Sequence, residues 1–106
     1  MSVLMTFRTK GDPALLEKRA GDNPDGLRAI VEEAKKAGLI AHRFYGTDDG
    51  QIMVLDEWPD AESFKRFFAA NRTTIEPLMT EVGATGEPEV TFWRELDTHD
   101  QVGWQA

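Results

Sequence analysis

Two runs of strand-forming residues, 39–45 (LIAHRFY) and 51–58 (QIMVLDEW), meet across the five residues Gly46-Thr-Asp-Asp-Gly50. A three-residue loop, Asp48-Asp49-Gly50, fits a type I turn followed by a glycine in the left-handed region, the hairpin connection that carries a G1 bulge. That turn sets the register. Thr47 faces Gln51, Phe44 faces Val54, His42 faces Asp56 and Ile40 faces Trp58. A slip of one residue would send every one of these side chains to the other face, so whatever is built on the pairs depends on the turn.

On each side of the hairpin lies a helix and then a further strand. Residues 3–9 (VLMTFRT) are rich in β-branched and aromatic types and run into the breakers Gly11, Asp12 and Pro13. Residues 13–20 allow two helical turns. Asn23 then suits an N-cap and Pro24 the first helical position, where no N–H is needed. Leu27, Ile30, Val31 and Ala34 recur at helical spacing, Lys35 and Lys36 complement the negative end of the helix dipole, and Gly38 fits the position after the cap. Beyond Pro59, Asp60 can cap a second main helix whose bulky face is Phe64, Phe67 and Phe68. Thr73-Thr-Ile-Glu76 resembles a capping box and predicts a separate short helix with Pro77 in its first turn. Residues 83–88 read as a loop and residues 90–96 (VTFWREL) as the fourth strand.

The order is βαββαβ, which predicts an α+β, ferredoxin-like domain over residues 1–96: a four-stranded antiparallel sheet with its main helices on one face and a polar tail over residues 97–106, broken by Val102 and Trp104. The strands are apolar on both parities. Met5, Phe7, Phe44, Val54 and Phe92 alternate with Leu4, Tyr45, Met53, Leu55 and Trp93. A sheet with one wet face should alternate more cleanly. The second face is expected to meet another apolar surface, and a second copy of the chain is the simplest one, giving a homodimer.

Composition narrows the function. With 106 residues, the chain is the size of one domain, and it contains no cysteine, which excludes disulfides and thiolate chemistry. Twelve basic against 19 acidic residues, a net charge of −7, disfavour nucleic acid and anionic lipid as partners. No apolar run approaches the roughly 18 residues of a membrane span, and Arg8 interrupts the N-terminus too early for a signal peptide. The expected compartment is the cytoplasm.

The element order, Asp56-Glu-Trp58 closing the third strand and the Asp60-x-x-Ser-Phe helix start resemble the dimeric α/β-barrel superfamily, and within it the antibiotic-biosynthesis monooxygenase domain. The resemblance spans residues 3–96. It implies two sheets packed face to face in a dimeric barrel, and a pocket in each subunit between sheet and helices. It also implies a small aromatic ligand, with members that are cofactor-independent monooxygenases of polycyclic phenols, haem-degrading enzymes or proteins of no known activity. Haem-degrading members carry a histidine in the helix after the tryptophan. Here Phe67 and Phe68 stand in its place, and neither can ligate iron. No cofactor or metal is expected.

The candidate catalytic residues are His42, Asp56 and Arg94. A carboxylate beside an imidazole fixes its tautomer and strengthens it as a base, while Arg94, on the parity of Phe92, can hold an oxyanion. Structural alternatives stand beside each: a strand pair for His42 and Asp56, a surface ion pair for Arg94. Phe44, Trp58, Phe67 and Phe92 are the candidate ligand-binding residues, with simple core packing as the alternative for Trp58 and Phe67. Arg43, Tyr45, Glu57 and Trp93 have the opposite parity and fit the dimer interface. A pocket of a few hundred Å³ with convergent polar groups would favour an enzyme. One filled by phenylalanine would favour a non-catalytic binding or accessory protein.

Overall fold

The computed structural model describes residues 1–103, the side chain of Thr85 excepted. Trp104 of the tail lies outside the described residues. The elements run β1 (Val3–Lys10), α1 (Pro13–Asp22), α2 (Pro24–Lys36), β2 (Ala41–Gly46), β3 (Gln51–Trp58), α3 (Ala61–Glu81) and β4 (Thr85–Trp93). The sheet order is β2-β3-β1-β4 and the pairings β1–β3, β1–β4 and β2–β3 are all antiparallel, the ferredoxin-like arrangement.

The hairpin register holds from Ala41↔Glu57 to Gly46↔Ile52, with His42 opposite Asp56 and Phe44 opposite Val54. Gly50 takes φ 91° and the Thr47 N–H donates to the Gln51 carbonyl at 3.0 Å, closing the expected turn. The register fails at its far end. Ile40 lies outside β2, and its N–H goes to the Glu57 carbonyl instead of placing Ile40 beside Trp58.

The helices differ from expectation in three ways. The two turns after Gly11 extend to a ten-residue α1, started by Asp12, whose Oδ1 accepts from Ala14 N at 3.0 Å and Leu15 N at 3.3 Å. Asn23 does not cap α2 with its side chain; its backbone N–H instead closes α1 onto the Arg19 carbonyl at 2.9 Å. And α3 runs unbroken through Pro77, so no separate helix starts at Thr73. Proline removes one backbone bond, but Ile75 and Met79 continue the apolar face and pack against the core on either side of it. The end of α2 follows the sequence closely. Gly38 takes φ 117°, its N–H donates to the Lys35 carbonyl and that of Leu39 to the Ala34 carbonyl, the paired bonds of a Schellman cap.

β4 is shifted as well. It starts at Thr85, inside the expected loop, and ends at Trp93, before Arg94 to Leu96. Pairing shifts between Arg8 and Lys10, where Gly86 takes φ 77°. β4 is an edge strand, and an edge tolerates the bulge and the missing N–H of Pro88.

The core lies between the sheet and α2 and α3. Met5, Phe7, Ala34, Trp58, Phe64 and Phe67 form one buried cluster. Trp58 is wholly buried, with ring centroids 5.8 Å from Phe64 and 5.6 Å from Phe67. Such aromatic pairs are each worth about 0.5–1.5 kcal/mol beyond the area they bury. The opposite face of the sheet is uncovered. Leu4, Tyr45 and Trp93 are exposed there, beside the half-buried Met53 and Leu55. None of the described helices is long and apolar enough to cross a membrane.

Candidate functional site

The turn decides the chemistry of the sheet's helix-facing side. Because Thr47 and Gln51 form a hydrogen-bonded pair, alternation makes His42–Asp56 a non-hydrogen-bonded pair, where side chains approach more closely. His42 Nδ1 lies 2.7 Å from Asp56 Oδ1. Asp56 and Trp58, two residues apart, share that face, and the Trp58 Nε1–H donates to Asp56 Oδ2 at 3.1 Å. The Asp56 side chain is 8% exposed and that of His42 is 23% exposed. A carboxylate only accepts, so the proton of this contact sits on Nδ1, and Nε2 of the neutral ring is left as an acceptor. Phe44 meets the imidazole edge to face at 5.1 Å.

Next to this pair is a cavity of about 140 Å³ between the sheet and the three helices. Its wall is almost wholly apolar: Met5, Phe7 and Val54 on the sheet side, Ile30 of α2, and Phe67 and Phe68 of α3. The polar side chains on it, among the described residues, are Thr9, His42 and Asp56. Among the described residues no group of three or more His, Asp or Glu side chains is placed to hold a metal ion.

Of the residues expected at the site, His42, Asp56, Phe44 and Phe67 line this cavity. Trp58 and Phe92 do not. Trp58 stands behind the wall, buried and hydrogen-bonded to Asp56, and Phe92 packs on Phe64 at 5.9 Å. Arg94 is exposed, one residue past the end of β4, and takes no part in the wall. The expected convergence of His42, Asp56 and Arg94 is therefore not found: two meet and the third lies elsewhere. His99 is exposed in the tail, 3.3 Å from Asp97. The sequence reading missed the bond from Trp58 to Asp56. The signal was present, since the two share a parity and a buried indole N–H needs an acceptor. Of the opposite-parity residues, Trp93 donates from Nε1 to Thr6 Oγ1 at 2.9 Å across the open face.

No protein-family model matches this chain, and no curated protein does. Solved structures match over nearly its whole length. SnoaB, a cofactor-independent oxygenase from Streptomyces nogalater, is 18% identical and superposes with a TM-score of 0.59, covering 94% of this chain and 98% of its own. A conserved protein from Methanosarcina mazei Go1 is 19% identical with a TM-score of 0.63, covering 91% of this chain and 94% of that one. A dimeric ferredoxin-like protein from an uncultured marine organism is 11% identical with a TM-score of 0.64, covering 95% and 93%. Another match is described as an antibiotic biosynthesis monooxygenase, at 16% identity and a TM-score of 0.58. At these identities the likeness is one of fold: the chain has a ferredoxin-like fold, shared with structures described as antibiotic biosynthesis monooxygenases and with one described as a dimeric ferredoxin-like protein.

Proposed function

We propose that the chain works as a homodimeric α/β barrel that binds a small aromatic ligand between sheet and helices, and that it acts there as a cofactor-independent monooxygenase. The observation that carries this reading is the His42–Asp56 pair, 2.7 Å apart, on the wall of an otherwise apolar cavity. His42 Nε2 takes the proton of a phenolic substrate, and the Asp56 carboxylate stabilises the imidazolium that forms. The electron-rich ring then reacts with dioxygen. One oxygen atom enters at a ring carbon and the other leaves as water, with the substrate supplying the electrons. SnoaB, a cofactor-independent oxygenase of the same fold, supports the reaction class. The uncovered apolar sheet face and the dimeric structural neighbour support the assembly.

Oxygen uptake with a panel of phenols tests the reaction. Uptake by the wild type that falls about 10²–10⁴-fold in His42→Ala is the expected result. Uptake unchanged by that substitution removes His42 from the chemistry. The exposed position of Arg94 favours a second reading. It leaves the cavity wall without a guanidinium to hold a developing oxyanion, which fits a non-catalytic binding or accessory protein. Ligand binding without oxygen uptake from any phenol selects this second reading.

A further inference from the structure

The cavity between sheet and helices adjoins a second one of about 280 Å³, and the two share Leu16, Phe44 and Ile52. Ile52 is buried, whereas Phe44 is 39% exposed. Beyond these three residues the second cavity has Glu17 of α1 on one side and Tyr45 of β2 on the other, both exposed. Its two lips are therefore a helix and an edge strand.

The lips are held with unequal firmness. β2 is paired to β3 over its whole length, from Ala41 to Gly46. α1 has no buried residue. Its start is pinned. The Gly11 N–H donates to the Gly50 carbonyl at 3.0 Å and the Asp12 N–H to the Val82 carbonyl at 2.9 Å. Pro13 packs so closely on Gly46 that a Cβ there would come within 2.7 Å of the proline ring. The far half of α1 has no such anchor. Among the described residues, its one side-chain tie to another element is the ion pair of Arg19 with Glu81, 3.9 Å apart and half exposed on both sides. Exposed pairs of this kind add little stability. Gly21 stands in the last turn, where glycine weakens a helix relative to alanine. A ten-residue helix does not hold together in water by itself, and buried side chains normally supply the difference.

We infer that α1 is the movable lip of the cavity: residues 17–22 unwind from the Asp22 end, draw Leu16 off the rim and open the inner cavity to solvent between α1 and β2. The start of α1 stays in place and acts as the hinge. This opening governs entry to the cavity whatever the ligand is, so it stands or falls separately from the proposed reaction.

Two measurements on the full chain test it, and neither needs a ligand. Hydrogen exchange followed by mass spectrometry reads the unwinding. The amides of residues 17–22 are expected to be protected at least about tenfold less than those of residues 64–68 in α3. Equal protection of the two segments overturns the inference. Thiol labelling reads access to the cavity, in a chain that has no cysteine of its own. Ala34 lies on the inner wall at 4% exposure, so the thiol of Ala34→Cys meets iodoacetamide only through an opening. Gly21→Ala stiffens α1 without disturbing its surroundings, since a Cβ there meets no atom of another part of the chain within 4 Å. This substitution is expected to slow exchange at residues 17–22 about threefold, and to slow labelling of Ala34→Cys by the same factor. Slower exchange with unchanged labelling means that entry takes another route, and overturns the inference. Exchange at residues 17–22 that Gly21→Ala leaves unchanged overturns it too. That comparison uses the wild type and a surface variant, so it decides even if Ala34→Cys does not fold.

Discussion

Asp56 is the residue on which the site's geometry turns. It accepts from His42 on one side and Trp58 on the other, and all three sit on the helix-facing side of the sheet. Removing the carboxylate leaves the fully buried indole N–H of Trp58 without an acceptor and frees the imidazole to rotate. A buried donor left unsatisfied costs about 1–3 kcal/mol. Asp56→Ala is therefore expected to lower unfolding stability by about 2–4 kcal/mol in urea titration, more than most single substitutions. A loss under about 0.5 kcal/mol would mean that the three side chains are not coupled. The His42–Asp56 half of this arrangement was legible in the sequence because one turn, Asp48-Asp49-Gly50, sets its register. The Trp58 half was not read. A tryptophan closing a strand suits both a ligand wall and the core, and only the three-dimensional packing of Phe64 and Phe67 around it puts it in the core.

Among the elements, the ends proved harder to read than the centres. The end of α2 followed from local chemistry, since Gly38 and the Schellman bonds need nothing from the rest of the fold. β4 did not, because Gly86 and Pro88 break a strand by local preference and are tolerated only on the edge where the topology puts them. That misplacement moved Arg94 into an expected strand and made it a site candidate. α3 ran on through Pro77 because tertiary contacts at Ile75 and Met79 outweighed one lost backbone bond. Its start followed expectation. Asp60 Oδ1 accepts from the Ser63 N–H at 2.8 Å and from its hydroxyl at 2.9 Å. The backbone bond first, and then the hydroxyl bond, hold the Asp60 carboxyl below its ordinary value of 3.8. A carboxyl lowered by folding stabilises the native state above its unfolded pKa, and that contribution fades as pH falls through the lowered folded value. The wild type is thus expected to exceed Asp60→Ala in thermal stability at neutral pH, with the gap narrowing as the solution is acidified below the carboxylate range. A gap that stays constant with pH would place the effect of Asp60 outside its charge.

At the scale of the whole molecule, the sheet has one face filled by helices and one left apolar and open. The open face was legible as a loss of alternation, because both parities of β1, β3 and β4 carry large side chains. A pocket between sheet and helices was expected from the family resemblance, but its size was not legible. Its volume is what remains after Phe67, Phe68 and Met5 have packed, and periodicity cannot give that remainder. If the open face is the dimer interface, a charge at its centre must split the pair, since burying an unpaired carboxylate is strongly unfavourable. Leu4 lies on that face in β1, opposite Glu57 of β3 and Trp93 of β4. Light scattering is expected to give twice the 11.9 kDa chain mass for the wild type and the single mass for Leu4→Glu. A wild type that is monomeric at micromolar concentration would remove the barrel from the proposal and leave the cavity of each chain to stand alone.

The most direct measurement is nitrogen NMR of the His42 ring, with and without phenol. His42 held by Asp56 at the cavity wall predicts a proton on Nδ1 in the free neutral ring and a change in the Nε2 resonance as phenol is added. A proton on Nε2, or ring signals that saturating phenol leaves untouched, would contradict it.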